Sequence, residues 1–336
     1  MALFVFVCVF VVVASVTHAS GSHAQWREEQ LAKVPDMALL HAPFTPFHND
    51  TNRSLNLDVL DKMAATAAQF GVTVVWTCGG MGEFYTLTVD ERKQINQAWV
   101  QHGHANNLYV IAHVGTTVLQ DAIDMAAHAK SIGADAVASV PPYYEQPGSI
   151  DELIAFLKPI AAAAHPLPLY YYHIPGSTHY SINALDLLDA ASTQLPELLG
   201  IKFVSSDTLD WYNIVQKYNS SHVLMFAPEP KLQSFALGLG RGTVLAEDFF
   251  APTYIRMQRH YALNNHGAAQ QEQAWKYKAM SVFGENGGGL AEREVYKHIN
   301  GVDLGPRRRP TGTFDPNNFK PLIQGLDSIG FFNQTW

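Results

Sequence analysis

The chain is poor in cysteine and in charge. It has 2 cysteines in 336 residues, and only 15% of it is Asp, Glu, Lys or Arg. Two thiols cannot build the disulfide framework on which small secreted folds depend. Little charge beside 47% hydrophobic residues excludes intrinsic disorder, which needs the reverse balance. Basic residues are the scarcer sign: 22 Lys and Arg stand against 30 Asp and Glu, a formal net charge of −8. A nucleic-acid-binding face needs the opposite excess, so no nucleic-acid partner is expected. The one basic run, Arg307-Arg308-Arg309 between Pro306 and Pro310, is expected to be a solvated loop. Beyond the N-terminus no segment is long and apolar enough to span a bilayer. The length suits one large domain or two small ones, with room for a large buried core.

The exception is the start of the chain. Leu3 to Ala14 are almost unbroken apolar, and no charged side chain precedes Arg27. The run is shorter than the roughly 18 residues a spanning helix needs. Small residues follow, and Ser22-His23-Ala24 offers an A-x-A-like cleavage site before Gln25. The pattern predicts a signal peptide over residues 1–24. An uncleaved anchor is the alternative, because a basic n-region is absent. The mature chain is then expected to be secreted or in the secretory-pathway lumen, with no membrane association after signal removal. Sequons at Asn49, Asn52, Asn219 and Asn333 fit that route. Cys8 leaves with the signal, so Cys78 stands alone. It is expected to be a buried small hydrophobe rather than a nucleophile.

After Gln25, short β-rich runs alternate with helical ones. The strand candidates are Ala38–Phe44, Thr73–Thr77, Leu108–Val114, Ala136–Val140, Leu169–Ile174, Leu199–Val204, Val223–Phe226 and Gly242–Ala246. Most are rich in Val, Ile, Leu, Tyr and Phe, as strands buried on both faces should be. Leu57, Leu60, Met63 and Ala64 share one helical face, as do Leu153, Phe156, Leu157 and Ile160. Ser149-Ile150-Asp151-Glu152 starts the second of these helices like a capping box. Eight such units predict an α/β chain folded as a (β/α)8 TIM barrel over residues 25–250. A doubly wound sheet is the runner-up, but Pro43-Phe44-Thr45-Pro46 is a poor Gly-rich first turn. Residues 251–336 are expected to form C-terminal helices and a tail. The tail after Pro306 is expected to be less ordered.

A barrel of this kind carries its active site at the C-terminal ends of the strands. Strand six offers Lys202 between Ile201 and Phe203. Low polarity lowers a lysine pKa, and a neutral amine can attack a carbonyl to form a Schiff base. The competing reading is a lysine paired with a carboxylate. Strand five carries Tyr170-Tyr171-Tyr172-His173, whose alternation puts Tyr170 and Tyr172 on one face. A phenol there could move protons beside strand six, or simply pack with its hydroxyl bonded. Cys78-Gly79-Gly80-Met81-Gly82-Glu83 ends strand two, either as an anion-binding nest or as a plain tight turn.

Together these pieces resemble the N-acetylneuraminate lyase branch of the dihydrodipicolinate synthase superfamily. The match runs from about Met37 to Pro310. It is strongest in Tyr170-Tyr171-Tyr172-His173-Ile174-Pro175 followed by Gly200-Ile201-Lys202-Phe203. Thr45-Pro46-Phe47, Gly79-x-x-Gly82-Glu83, His113-Val114-Gly115 and Pro142-Tyr143-Tyr144 extend it. The resemblance implies a class I, Schiff-base aldolase on a (β/α)8 barrel with extra C-terminal helices. It implies no metal and no organic cofactor, and a homo-oligomer, dimer or tetramer. Lys202 matches the Schiff-base lysine and Tyr172 the acid/base tyrosine. Tyr143 or Tyr144 matches a strand-four aromatic near the subunit contact. The implied reaction cleaves a 2-oxo acid such as sialic acid into pyruvate and an aldehyde sugar.

The binding positions depart from the family pattern. Gly80 and Met81 stand where two hydroxyl residues usually grip the pyruvate carboxylate. Val204 replaces a hydroxyl residue, with Ser205 one further on. Glu229-Pro230, after Ala227, replaces an Asp-Glu pair that faces sugar hydroxyls. Leu245-Ala246-Glu247 replaces Gly-Ser-Thr. Losing two or three hydrogen bonds to a charged group, at about 1.5–3 kcal/mol each, weakens binding by orders of magnitude. A different carbonyl substrate, including one without a free carboxylate, is therefore a second reading, and a non-catalytic binding protein a third. His102-Gly103-His104 lies after helix two, lacks a third ligand and predicts no metal site. His113 and His173 are expected to make internal hydrogen bonds. Gly287-Gly288-Gly289 lacks the residues of a phosphate loop and is expected to be the turn before the last helix.

Overall fold

The computed structural model describes residues 23–334 except 239. The apolar segment with Cys8 and the end of the Asn333 sequon lie outside the described residues. Eight strands form one closed parallel barrel: β1 Ala38–His41, β2 Val74–Thr77, β3 Tyr109–His113, β4 Ala136–Ser139, β5 Leu169–His173, β6 Leu198–Phe203, β7 Val223–Phe226 and β8 Gly242–Leu245. β8 pairs with β1 from Ala38↔Gly242 to His41↔Leu245, which closes the ring and excludes the doubly wound sheet. Each strand candidate contains or overlaps one of these strands, differing by at most three residues at either end.

Every residue of the eight strands is buried. Inward side chains fill the barrel: Leu40, Trp76, Ile111, Ala138, Tyr170 and Met225 belong to one cluster. Outward ones, such as Val75, Tyr171, Ile201 and Phe203, pack on the helices. The tyrosine alternation in β5 is therefore as expected. A Cβ at Gly200 would lie 2.7 Å from the Tyr170 ring and 2.4 Å from the Val223 carbonyl, so a large inward ring needs a glycine on the next strand.

Helices α1 Leu60–Gln69, α2 Val89–Ala105, α3 Leu119–Ser131, α4 Ile150–Ala164, α5 Ala184–Gln194, α6 Thr208–Tyr218 and α7 Leu232–Leu237 surround the barrel. Leu60, Met63 and Ala64 of α1 are buried, as are Leu153, Leu157 and Ile160 of α4. Each such Leu or Ile contributes about 1.5–3 kcal/mol by leaving water. Ser149 caps α4 by accepting from the Glu152 N–H, and Thr88 with Glu91 forms a full capping box on α2. His102 and His104 lie in the last turn of α2, not after it, and His104 Nε2 sits 2.9 Å from the Asp135 carboxylate. A helix over residues 23–32 crosses the lower end of the barrel. Trp26 Nε1 donates to the Pro166 carbonyl and Arg27 to those of Pro196 and Ser221. A boundary after Ala24 falls in the first turn of that helix.

Four more helices follow the barrel: α8 Ala251–Ala262, α9 His266–Glu285, α10 Ala291–Asn300 and α11 Phe319–Ser328. The glycine turn leads into α10, which is not the last helix. The tail also departs from expectation. It folds into α11 because Leu322, Leu326 and Phe331 are apolar at helical and cap positions and become buried. Phe331 stacks on Trp275 with centroids 5.7 Å apart. The basic run is not a solvated loop either. Arg308 makes a two-pronged pair with Glu91 at 2.6 and 2.8 Å, and Arg307 reaches Glu83 at 3.2 Å. Arg293 of α10 adds a third cation, 3.4 Å from the fully buried Glu83. Two acidic residues more than 200 positions upstream thus recruit the run, and only Arg309 remains exposed.

Candidate active site

The upper mouth of the barrel opens into a cavity of about 500 Å³. Its floor is Lys202, on the penultimate residue of β6 and in register with Tyr172 of β5. Parallel pairing therefore makes these two side chains neighbours. The Lys202 ammonium lies 4.5 Å from the Tyr172 ring centre and 4.9 Å from that of Trp76. The side chain is 3% exposed and joins no ion pair among the described residues. The reading of a lysine paired with a carboxylate is thereby excluded. Burial, with the Lys231 ammonium nearby, lowers its pKa to about 7. About half of the amine is then neutral at pH 7, the form a nucleophile requires.

Tyr172 is buried, which raises its phenol above the ordinary value, and the Gly80 backbone N–H opposes that rise. It therefore enters any reaction as a neutral phenol. The turn after β2 brings the backbone close. A Cβ on Gly79 would stand 3.9 Å from Lys202 Nζ, and one on Gly80 would stand 3.7 Å from the Tyr172 hydroxyl. The turn is pinned from below: His113 Nδ1 lies 2.7 Å from the Cys78 carbonyl, and Thr45 donates to the Gly82 carbonyl at 2.6 Å. Cys78 is buried, and burial pushes its thiol up to about 11, so it is an inert hydrophobe as expected. His173, in contrast with His113, has no hydrogen-bond partner for Nδ1 among the described residues and packs against Tyr171 and Phe203.

The opposite wall is ionic. Glu229, Lys231, Glu247, Tyr254 and Lys276 all line it. Glu229 accepts from Lys276 and from the Tyr254 hydroxyl, both at 2.7 Å. Burial alone would raise Glu229, but Lys231 and Lys276 outweigh it and bring it down to about 2. Burial also lowers Lys231, to about 8, despite the nearby Glu229 carboxylate. Glu247 faces Glu292 of α10. Burial raises both carboxyls, and the Glu247 charge pushes Glu292 further up.

The structure brings together Lys202, Tyr172, Gly80, Met81, Val204, Ala227, Glu229, Leu245 and Ala246 in this one cavity. Tyr143 is set apart. It lines an adjoining chamber of about 190 Å³ with Phe84, Tyr85 and Val140, joined to the cavity through Gly80 and Tyr172. Ser205 is not on the cavity wall, so it does not substitute for the hydroxyl absent at Val204. Sequence reasoning missed Lys231, Tyr254 and Lys276. Lys231 carried a signal, being a lone lysine two residues past the strand-seven site. Lys276 lies on an outer helix with no local pattern to mark it.

The arrangement has known relatives. A family model described as dihydrodipicolinate synthetase family matches residues 37–314. The chain is 31% identical over 297 residues to N-acetylneuraminate lyase A of Xenopus laevis, covering 87% of this chain and 97% of that one. It is 29% identical over 301 residues to N-acetylneuraminate lyase of Sus scrofa, covering 87% and 93%. The solved N-acetylneuraminate lyase of Proteus mirabilis superposes with a TM-score of 0.81 at 25% identity, covering 88% of this chain and 99% of that one.

Proposed function

The chain belongs to the dihydrodipicolinate synthetase family, and from that premise we propose that Lys202 and Tyr172 carry out carbon–carbon cleavage through a Schiff base. The protein is a lyase of the class I aldolase type. The observation that carries the site assignment is the buried Lys202 amine, without an ionic partner and lowered to about 7, on the floor of the cavity. Neutral Lys202 attacks the 2-oxo carbon, water leaves, and an iminium forms. Tyr172 takes the C4 hydroxyl proton as its own proton passes to the substrate carboxylate. The C3–C4 electrons flow into the iminium, giving an enamine and a free aldehyde. Protonation of the enamine at C3 and hydrolysis release pyruvate and restore the amine. A sialic acid or related 2-oxo acid is the substrate class that the relatives' names favour.

A second reading has its own observation. Gly80 and Met81 give the substrate carboxylate no hydroxyl, and Met81 makes that corner apolar. A carbonyl compound without a carboxylate would lose nothing there. One experiment separates the two. The mature protein is mixed with pyruvate, sialic acid or neutral ketones, reduced with borohydride and weighed intact. A pyruvyl adduct mapped to Lys202 supports the first reading, and adducts from neutral carbonyls alone support the second. No adduct from the whole panel sinks both.

We also propose a secretory route and a homo-oligomer. The acceptor residues Asn49, Asn52, Asn219 and Asn333 are all exposed, as glycosylation would require. A mass loss on treatment of the secreted protein with an N-glycosidase is expected. An unchanged mass and retention in the cytosol would refute the route. Light scattering of the purified chain tests the oligomer, and a monomer at micromolar concentration would refute it.

A further inference from the structure

Proteins bind carboxylates with converging N–H and O–H donors, at least one of them charged. The ionic wall of the cavity has such a set. The Lys231 backbone N–H, the Tyr254 hydroxyl, the Gln273 amide and the Lys276 ammonium stand 3.1, 2.7, 3.2 and 2.7 Å from one carboxylate, and the Lys231 ammonium lies 3.5 Å away. They come from the loop after β7 and from helices α8 and α9. Lys231, Tyr254, Gln273 and Lys276 are each at most 4% exposed. The carboxylate at their focus is the chain's own Glu229.

An ionised carboxylate offers about four lone-pair sites. Four hydrogen bonds, two to each oxygen, fill these sites and leave none for a substrate hydroxyl. We propose that Glu229 determines specificity: it fills, from within the chain, a ready-made carboxylate cradle, and so restricts the part of the substrate remote from Lys202 to uncharged groups. The inference rests on the Schiff-base reading of this cavity and narrows its substrate class. An anionic tail arriving at this wall meets the Glu229 carboxylate, and both nearby ammonium groups are already paired with it. The Lys231 ammonium is further occupied by the Ala227 and Pro228 carbonyls. Among the described residues Lys276 hydrogen-bonds to Glu229 alone, and its remaining N–H groups suit neutral acceptors such as hydroxyls and amide carbonyls.

Two measurements on the full mature chain test this. The first is the melting temperature of Glu229→Ala in sodium acetate and in sodium chloride of equal ionic strength. Acetate should raise it saturably and chloride should not, while the native protein responds to neither. Equal responses of the two proteins, or none in the variant, would overturn the cradle. The second measurement is borohydride trapping with pyruvate, 2-keto-3-deoxygluconate and its 6-phosphate. The native protein should trap the neutral-tailed acid about tenfold faster than the phosphate, the weight of one charged hydrogen bond. Glu229→Gln, which keeps the side-chain volume and serves if the alanine variant does not fold, should erase that ratio. A ratio near one in the native protein, or one unchanged in Glu229→Gln, would sink the proposal. Failure of all three carbonyls to trap, with acetate still stabilising Glu229→Ala, would overturn the Schiff-base reading and the substrate role of Glu229. The cradle itself would survive that result.

Discussion

The two ends of the cavity are tuned by different physics. At the amine end, Trp76, Tyr172 and the glycine turn surround Lys202 with rings and backbone, and the amine is lowered chiefly by loss of water. At the far wall, cations and carboxylates lie within hydrogen-bonding reach and set one another's ionisation. One end makes a group reactive by isolating it. The other makes groups unreactive by pairing them. Chemistry belongs to the first and selection to the second.

The sharpest break of this contrast is Lys202→Arg. Arginine cannot form an imine, so every borohydride adduct should vanish, and the melting temperature should fall as well because a buried, unpaired guanidinium cannot shed its charge. A residual adduct elsewhere would move the chemistry off this residue. Tyr172→Phe comes next. Adduct formation with pyruvate should persist, while cleavage should fall about 10²–10⁴-fold, the usual range for a lost acid/base group. If cleavage stays within a factor of a few, the phenol only packs.

Restoring what the turn lacks is a smaller, opposite test. Gly80→Ser with Met81→Thr should tighten pyruvate binding about 10–100-fold, the effect of one or two hydrogen bonds to a carboxylate. Ordinary contact distance from Gly80 to the Tyr172 hydroxyl leaves room for the serine Cβ. Unchanged pyruvate affinity in a folded double variant would show that the carboxylate is not held there.

The smallest effect links the two ends. Imine formation should rise with pH and level off above about 7, as Lys202 loses its proton. The sign follows from the shift: a lowered lysine is neutral above its new value and charged below it. Lys231 contributes to that lowering, so Lys231→Met should move the midpoint of the trapping rate to higher pH. A midpoint that stays or falls would mean that burial alone sets the amine.

The sequence exposes these ends unequally. The barrel was legible because each strand is a short apolar run bounded by turn residues, and the Tyr172–Lys202 pair because adjacent parallel strands carry both. The far wall was not. Glu229 gives no sign that Lys276, 47 residues on, will neutralise it. Glu247 likewise meets Glu292 only through the packing of α10. The misread Arg308 has the same cause. A charge run beside prolines is locally a loop, and only the folded barrel brings Glu91 to it, 217 residues away. Periodicity reports which face is buried, whereas ion pairs between distant segments leave no period.

The buried Glu83 has a consequence for how the molecule is made. It ends the glycine turn, and two of its partners, Arg293 and the Arg308 backbone N–H, lie 210 and 225 residues downstream. On the ribosome all eight strands have been translated before either partner exists. Until then a carboxylate at this position has no cation to offset its removal from water, a cost of several kcal/mol. The turn that carries Gly80 and Met81 therefore gains its full set of partners only once Arg308 has been made.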